Sequence, residues 1–146
     1  MYNTGTKSDN GIITEWYESD IVTDRKSRFQ GRHVTINSAD EIPNILSQLL
    51  QQNKNIKKTA SHPHIIAWQT GTLVNDNKYI NVNQGFQDNG EKGAGSRLLN
   101  QVLVNNNIFN VLVIITRWYG GNPIGSSRFR HVVNCGLMSL RKANKI

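Results

Sequence analysis

Two short segments carry residue types that can do chemistry. The first is Thr116 to His131, TRWYGGNPIGSSRFRH. It follows an unbroken apolar run, Val111 to Ile115. It leads into apolar residues at helical spacing: Phe129, Val132, Val133, Gly136, Leu137 and Leu140. A buried strand that passes through a glycine-rich loop into a helix aims backbone N–H groups and the positive helix end at one spot. Arg117, Arg128 and Arg130 flank that spot. The chemistry this predicts is anion binding. Gly120, Gly121, Gly125 and the helix start at Ser126 form a concavity, and Arg117 and Arg128 add charge-assisted hydrogen bonds. The loop lacks the Gly-Lys-Ser/Thr ending of a Walker A loop. It also lacks the glycine spacing of a dinucleotide fingerprint. The competing reading makes Arg117 a structural tether and the glycines aids to packing. Trp118 and Tyr119 face opposite sides of an extended backbone, so one is core and the other stacks on a base or a protein.

The second segment is Asp88-Asn89-Gly90-Glu91, running through Lys92-Gly93-Ala94-Gly95 into a helix. Asn-Gly is a strong turn signal because both residues tolerate positive φ. Asp88 and Glu91 then stand beside a helix start, where negative charge is favoured. They serve either as a capped turn or as carboxylates that pair with Arg117 across the sheet end. No third ligand accompanies them, so no metal is expected, nor any cofactor. His62 and His64 flank Pro63 and read as packing at a strand start rather than as metal ligands. Ser126 and Ser127 read as helix caps rather than nucleophiles. Cys135, the one cysteine, falls in the last predicted helix and reads as a packed small residue. No catalytic arrangement emerges, and the expectation leans away from an enzyme.

The elements that position these segments follow from periodicity. A chain of 146 residues reads as one domain, residues 12–146, behind a polar, turn-rich, mobile tail over 1–11. Ile12 to Glu18 and Ser27 to Ile36 read as paired strands. The second places Phe29, Gly31, His33 and Thr35 opposite Arg28, Gln30 and Arg32. Ser38 and Glu41 spell a capping box before the apolar stripe Ile42, Ile45, Leu46, Leu49 and Leu50. A polar exit carries Lys54, Lys57 and Lys58 and reads as a solvated helix end. His64 to Thr70 is a third strand, and Tyr79 to Val82 a short edge strand. Ala94 to Asn106 is a second helix, Phe109 to Thr116 the central strand, and Ser126 to Lys142 the last helix. This order predicts an α+β sandwich with helices on one sheet face, and a generic right-handed crossover.

Charge is distributed unevenly. The formal net charge is +7, yet every Asp and Glu lies at or before Glu91. From Lys92 onward there are eight Lys and Arg and no acid. That asymmetry points to a negatively charged partner: RNA, a ribosomal surface or an acidic protein. No apolar run reaches the roughly 20 residues of a membrane span, and no signal-peptide pattern opens the chain, so a cytoplasmic location is expected.

Several motifs occur in an order that resembles a known family. They are Asp24-Arg25-Lys26-Ser27-Arg28-Phe29-Gln30-Gly31, Ala60-Ser61-His62 with Ala67-Trp68, Asp88-Asn89-Gly90-Glu91 with Ala94-Gly95, and Arg117-Trp118-Tyr119-Gly120-Gly121. Together they resemble the IMPACT family, in its eukaryotic rather than bacterial spelling, over roughly residues 13 to 142. The resemblance implies a ribosomal-protein domain-2-like fold: a two-layer, four-stranded sheet with helices on one face and a left-handed crossover. It implies association with the ribosome or nucleic acid. It also implies regulation of the amino-acid-starvation kinase through that kinase's ribosome-associated activator, and binding of monomeric actin. The longer eukaryotic members carry an RWD domain, which this chain is not expected to contain. Asn89 stands where the family commonly has a second Asp, and either His62 or His64 matches the family's single His. The function expected is a binding domain linked to translation and its regulation under stress. The alternatives are a protein-interaction module for actin or a starvation-kinase regulator, and an enzyme acting on a phosphate-bearing ligand in the same loop.

Overall fold

The computed structural model describes residues 11–146, so all but one residue of the expected N-terminal tail lies outside the described residues. Its strands are β1 (Tyr17–Glu18), β2 (Val22–Asp24), β3 (Ser27–Thr35), β4 (His62–Asn75), β5 (Lys78–Gln87) and β6 (Val111–Trp118). The helices are α1 (Ile42–Gln52), α2 (Lys54–Thr59), α3 (Ala94–Leu98) and α4 (Ser127–Lys142), and α3 runs on as a π-helical segment, Leu99–Val104. A short 3₁₀ turn, Ala39–Glu41, precedes α1. The Ser38–Glu41 capping box is present, with Asp40 N–H donating to Ser38 Oγ at 3.1 Å and Ser38 N–H to Glu41 Oε2 at 3.0 Å.

The sheet corrects two expectations. It has six strands rather than four, in the order β1-β3-β6-β4-β5, with β2 also pairing with β3. All the pairings are antiparallel. Helices cover both faces rather than one. On one face α3, its π-helical extension and α4 pack on Phe29, Ile65, Ala67, Val111, Val113 and Ile115. On the other, α1 and α2 pack on Val34, Ile66, Leu112, Ile114 and Trp118. The physical reason is visible in β6. All eight of its residues are buried, and a strand buried on both faces reads as a continuous apolar run. The sandwich therefore has three layers.

The edges differ most from the sequence reading. The expected first strand shrinks to Tyr17–Glu18, while residues 19–26, between the two expected strands, hold β2. Ser19 joins the two: its N–H donates to Gly31 O at 2.8 Å and its Oγ accepts from Gly31 N–H at 2.9 Å. The expected short strand around Tyr79 is instead a ten-residue edge strand in a long β4–β5 hairpin. Its residues are largely exposed and rich in Asn and Gln, so they carry little hydrophobic alternation. Tyr79, near the hairpin's turn, stacks on Phe109 at 3.9 Å.

β3 meets α4 through its smallest residue. A Cβ on Gly31 would stand 2.4 Å from the Cys135 carbonyl oxygen, a backbone atom that cannot rotate away. Next to it His33 is fully buried. Ser139 Oγ donates its one hydrogen to Tyr17 O at 2.6 Å, so the 2.8 Å contact with His33 must use the proton on His33 Nδ1. That leaves His33 Nε2 to accept from Lys145 Nζ at 3.2 Å. Burial, and then the nearby Lys145 charge, push the imidazole from 6.5 down to about 3.

Two outcomes follow. Gly31→Ala should lower stability by about 1–3 kcal/mol through overpacking, read as a lower urea midpoint at unchanged slope. Between pH 6.5 and about 3 the unfolded chain binds a proton at His33 that the native state does not. Stability should therefore fall as pH falls through that window, by up to about 1.4 kcal/mol per unit. His33→Gln should flatten that part of the urea-midpoint profile.

Candidate functional site

The site lies where β6 ends, between the loop before α3 and the loop before α4. Its centre is Glu91, whose carboxylate is buried. Glu91 Oε2 pairs with Arg117 Nη1, and Oε1 pairs with Arg128 Nε at 2.7 Å. His62 Nε2 stands 3.5 Å from Oε2. One carboxylate thus joins the end of β6, the start of α4 and the start of β4. The two guanidiniums outnumber it, so the cluster keeps a net positive charge.

Asp88 does something else. Its carboxylate accepts from Gly93 N–H at 3.1 Å and from Gly95 N–H at 2.8 Å, capping the turn into α3. Of the two acids in the turn, Glu91 meets Arg117 and Asp88 satisfies backbone donors. Asn89, in the left-handed region at φ 51°, accepts from His64 N–H through Oδ1 at 3.0 Å. Its carbonyl accepts from His62 Nδ1 at 2.9 Å. The amide therefore has a structural task, clamping the turn to β4. Gly90 follows at φ 86°, where a side chain would be strained. Gly95 has no room for a side chain, since a Cβ would stand 2.8 Å from Asp88 Oδ1.

The glycine loop is shaped from below. Arg117 is 5% exposed, and its Nη2 donates to Ser27 Oγ at 3.4 Å. The same Ser27 Oγ accepts from Gly120 N–H at 3.1 Å, and Ser61 Oγ accepts from Tyr119 N–H at 2.9 Å. Gly120 presses on the β2–β3 turn so closely that a Cβ would stand 2.2 Å from the Lys26 carbonyl carbon. Gly121 and Gly125 have positive φ and open space around them. Trp118 is core, while Tyr119 is 48% exposed. Ser126 makes no side-chain cap to α4. Arg128 Nη1 instead donates back to Gly125 O at 2.6 Å.

These placements divide the sequence-predicted residues. Tyr119, Gly125, Arg117, Arg128, Glu91 and His62 line one open hollow with Pro123 and Ile124. Asp88, Asn89, Gly90 and Gly95 build the neighbouring turn. Arg117 is not an exposed anion ligand, because burial and Glu91 engage it. Sequence reasoning missed Ser27 and Ser61 as loop anchors. Both stand inside the quoted motifs, but a serine's hydrogen-bond partner is not spelled by its neighbours. Among the described residues no three His, Cys, Asp or Glu side chains gather as a metal-holding group. Cys135 is buried, and burial pushes its thiol up to about 11, which suits packing rather than reactivity.

The fold and this ion-paired loop site define an α+β domain whose sheet end presents a compact basic surface. The Impact N-terminal domain matches residues 25–140, and the chain belongs to the IMPACT family. An IMPACT family member of Saccharomyces cerevisiae is 40% identical over 94% of this chain and 96% of its own length. Protein IMPACT of Rattus norvegicus is 33% identical over 84% of this chain but only 36% of its own length. The chain thus spans nearly all of the yeast relative and little more than a third of the rat one. Among solved structures, a two-domain translational regulator is similar at 27% identity and a TM-score of 0.56, over 98% of this chain and 51% of that one. A hypothetical protein shares the fold at 20% identity and a TM-score of 0.65, over 88% of this chain and 62% of that one.

The ion cluster has a testable energetic role. Glu91→Ala leaves the buried Arg117 without its carboxylate and should cost about 3–5 kcal/mol. The double variant Glu91→Leu with Arg117→Met should recover much of that loss. A urea double-mutant cycle of Glu91→Leu, Arg117→Met and their double, run beside Glu91→Ala, reads both. Additive losses would show that the pair does not act as a unit.

Proposed function

We propose that this domain is a binding module, rather than a catalyst, in the control of translation, and that it associates with the ribosome or its RNA in the cytoplasm. One observation carries the reading: the acid-free stretch from Lys92 onward exposes Lys92, Arg97, Arg130, Arg141 and Lys142. The last acid before them, Glu91, is already engaged by Arg117 and Arg128. Such a surface attracts a polyanion and steers its approach. The likeness to a two-domain translational regulator supports the same setting. Exposed Tyr119, with Gly120, Gly121, Gly125 and Ser126 beside it, serves as a rim that touches the partner. The same proposal extends to a role in the amino-acid-starvation response, a reading that the likeness to IMPACT proteins supports.

A second reading rests on a different surface. Leu73, Val74, Ile80, Val82 and Phe86 are all exposed on the β4–β5 hairpin. Exposed apolar groups on a sheet edge favour a protein partner, such as actin or a regulator of the starvation kinase.

The two separate by salt. Binding to RNA or ribosomal subunits should weaken as a power of salt concentration, with a log–log slope of roughly −2 to −3 for three or four phosphate contacts. Filter binding or sedimentation from low to high salt measures it. Absence of binding at low salt, or indifference to salt, rejects the RNA reading and favours the hairpin.

A further inference from the structure

We infer that the groove between α3 with its π-helical extension and α4 is the surface that takes the RNA backbone, and that it does so without reading sequence. The inference rests on the RNA reading above and names its site. Arg97 and Gln101 line one wall, and Phe129, Arg130, Val133 and Asn134 the other. Each wall carries an arginine followed four residues later by an amide. Residues at that spacing on a helix stand one above the other, so each wall offers a guanidinium and a neutral hydrogen-bonding group on one side.

Arg97 is held in place before any partner arrives. Its guanidinium lies 3.9 Å from the centre of the Phe129 ring, and its Nη1 donates to Gly93 O at 2.9 Å. The loop is shaped for that stack. Gly93 sits at φ 90°, and a Cβ there would come within 2.8 Å of Arg97 Nη1 and 3.5 Å of Phe129 Cζ. Arg128 lies against the same ring, 4.3 Å from its centre. Like charges are thus gathered on one aromatic side chain. Among the described residues no carboxylate pairs with Arg97 or Arg130, whereas Arg128 has Glu91. Arg97 and Arg130 thus leave the groove with positive charge that Glu91 does not balance, for an anion to relieve.

The chemistry selects the partner. Guanidinium forks match phosphate oxygens in pairs, and the amides of Gln101 and Asn134 both donate and accept, as ribose hydroxyls do. Two guanidiniums already lie over the Phe129 ring, so a base would have to compete with them to stack there. Contacts to phosphate and sugar position a nucleic acid without specifying its sequence.

The test uses the full chain, a short fluorescent RNA and anisotropy. The groove variant is Arg97→Gln with Arg130→Gln. The control is Lys57→Gln with Lys58→Gln, the same charge change on α2, which packs on the opposite sheet face. All four side chains are exposed, and circular dichroism with a thermal melt checks that both variants fold. The groove variant should bind roughly tenfold more weakly or worse, with the log–log salt slope smaller in magnitude by about 1.4 for two lost single-strand phosphate contacts. The control should change affinity less than about twofold and leave the slope alone. Two RNAs of unrelated sequence should bind alike. Equal losses in groove and control variants, or an undiminished groove variant, overturn the inference while the RNA reading stands. Displacement by polyglutamate as readily as by RNA makes the occupant an acidic protein and overturns it too. A wild-type chain that binds no RNA at low salt removes the RNA reading itself, and the groove with it.

Discussion

A carboxylate buried between two guanidiniums governs the end of the sheet where β6 closes. Arg117 ends a strand with no exposed side, so its charge has to be compensated inside the protein. Taking a cation out of water costs several kcal/mol unless a counter-ion and hydrogen bonds replace the lost hydration. Glu91 supplies the counter-ion, and Ser27 takes a second donor. Because Glu91 stands on the turn before α3, satisfying Arg117 also fixes that turn against the sheet. Because its other oxygen takes Arg128, the first turn of α4 is fixed by the same group. Three segments far apart in sequence are thereby set in register by one side chain.

This arrangement changes which cations face solvent. A glycine loop, a helix start and two arginines are the usual ingredients of an anion site. Here the arginine nearest the strand is internal, and the one on the helix turns back to Glu91 and to the Gly125 carbonyl. The freely presented positive charge moves outward, to Arg97 and Arg130 on the neighbouring helices. The loop acts as scaffolding for the surface beside it. The aromatic pair divides in the same spirit, with Trp118 giving its indole N–H to Thr59 Oγ1 at 2.9 Å while Tyr119 stays out.

Much of this was legible in the residues, for reasons that can be named. β3 and α1 announce themselves by alternation and by a capping box, both local signals. β6 announces itself by an uninterrupted apolar run, yet that same run means burial on both faces and argues against helices on one side only. That implication was the one available clue to the third layer. β5 was hidden because an exposed edge strand needs no apolar alternation, and its Asn and Gln residues resemble a loop. At the site, the proximity of Glu91 to Arg117 was readable as one of two pairings. Choosing between Asp88 and Glu91 was not, because it depends on which carboxylate reaches the Gly93 and Gly95 amides, a matter of turn geometry. Burial of Arg117 was likewise unreadable, since arginines are mostly exposed and nothing adjacent in the sequence marks this one as enclosed.

The position of β6 has a consequence for how the molecule comes into being. It pairs with β3 on one side and β4 on the other, so it is the central strand, yet it is the last strand in the chain. As the polypeptide leaves the ribosome, β3 and β4 emerge early, with the edges they will share with β6 unoccupied. The β4–β5 hairpin and α1 can form locally, but the sheet cannot close until residue 118 is available. Non-local pairing of this kind slows folding, and open inner edges are where a nascent chain is most open to wrong partners. A domain with this topology spends most of its synthesis incomplete, and becomes whole only when one late strand slides between two that have been waiting for it.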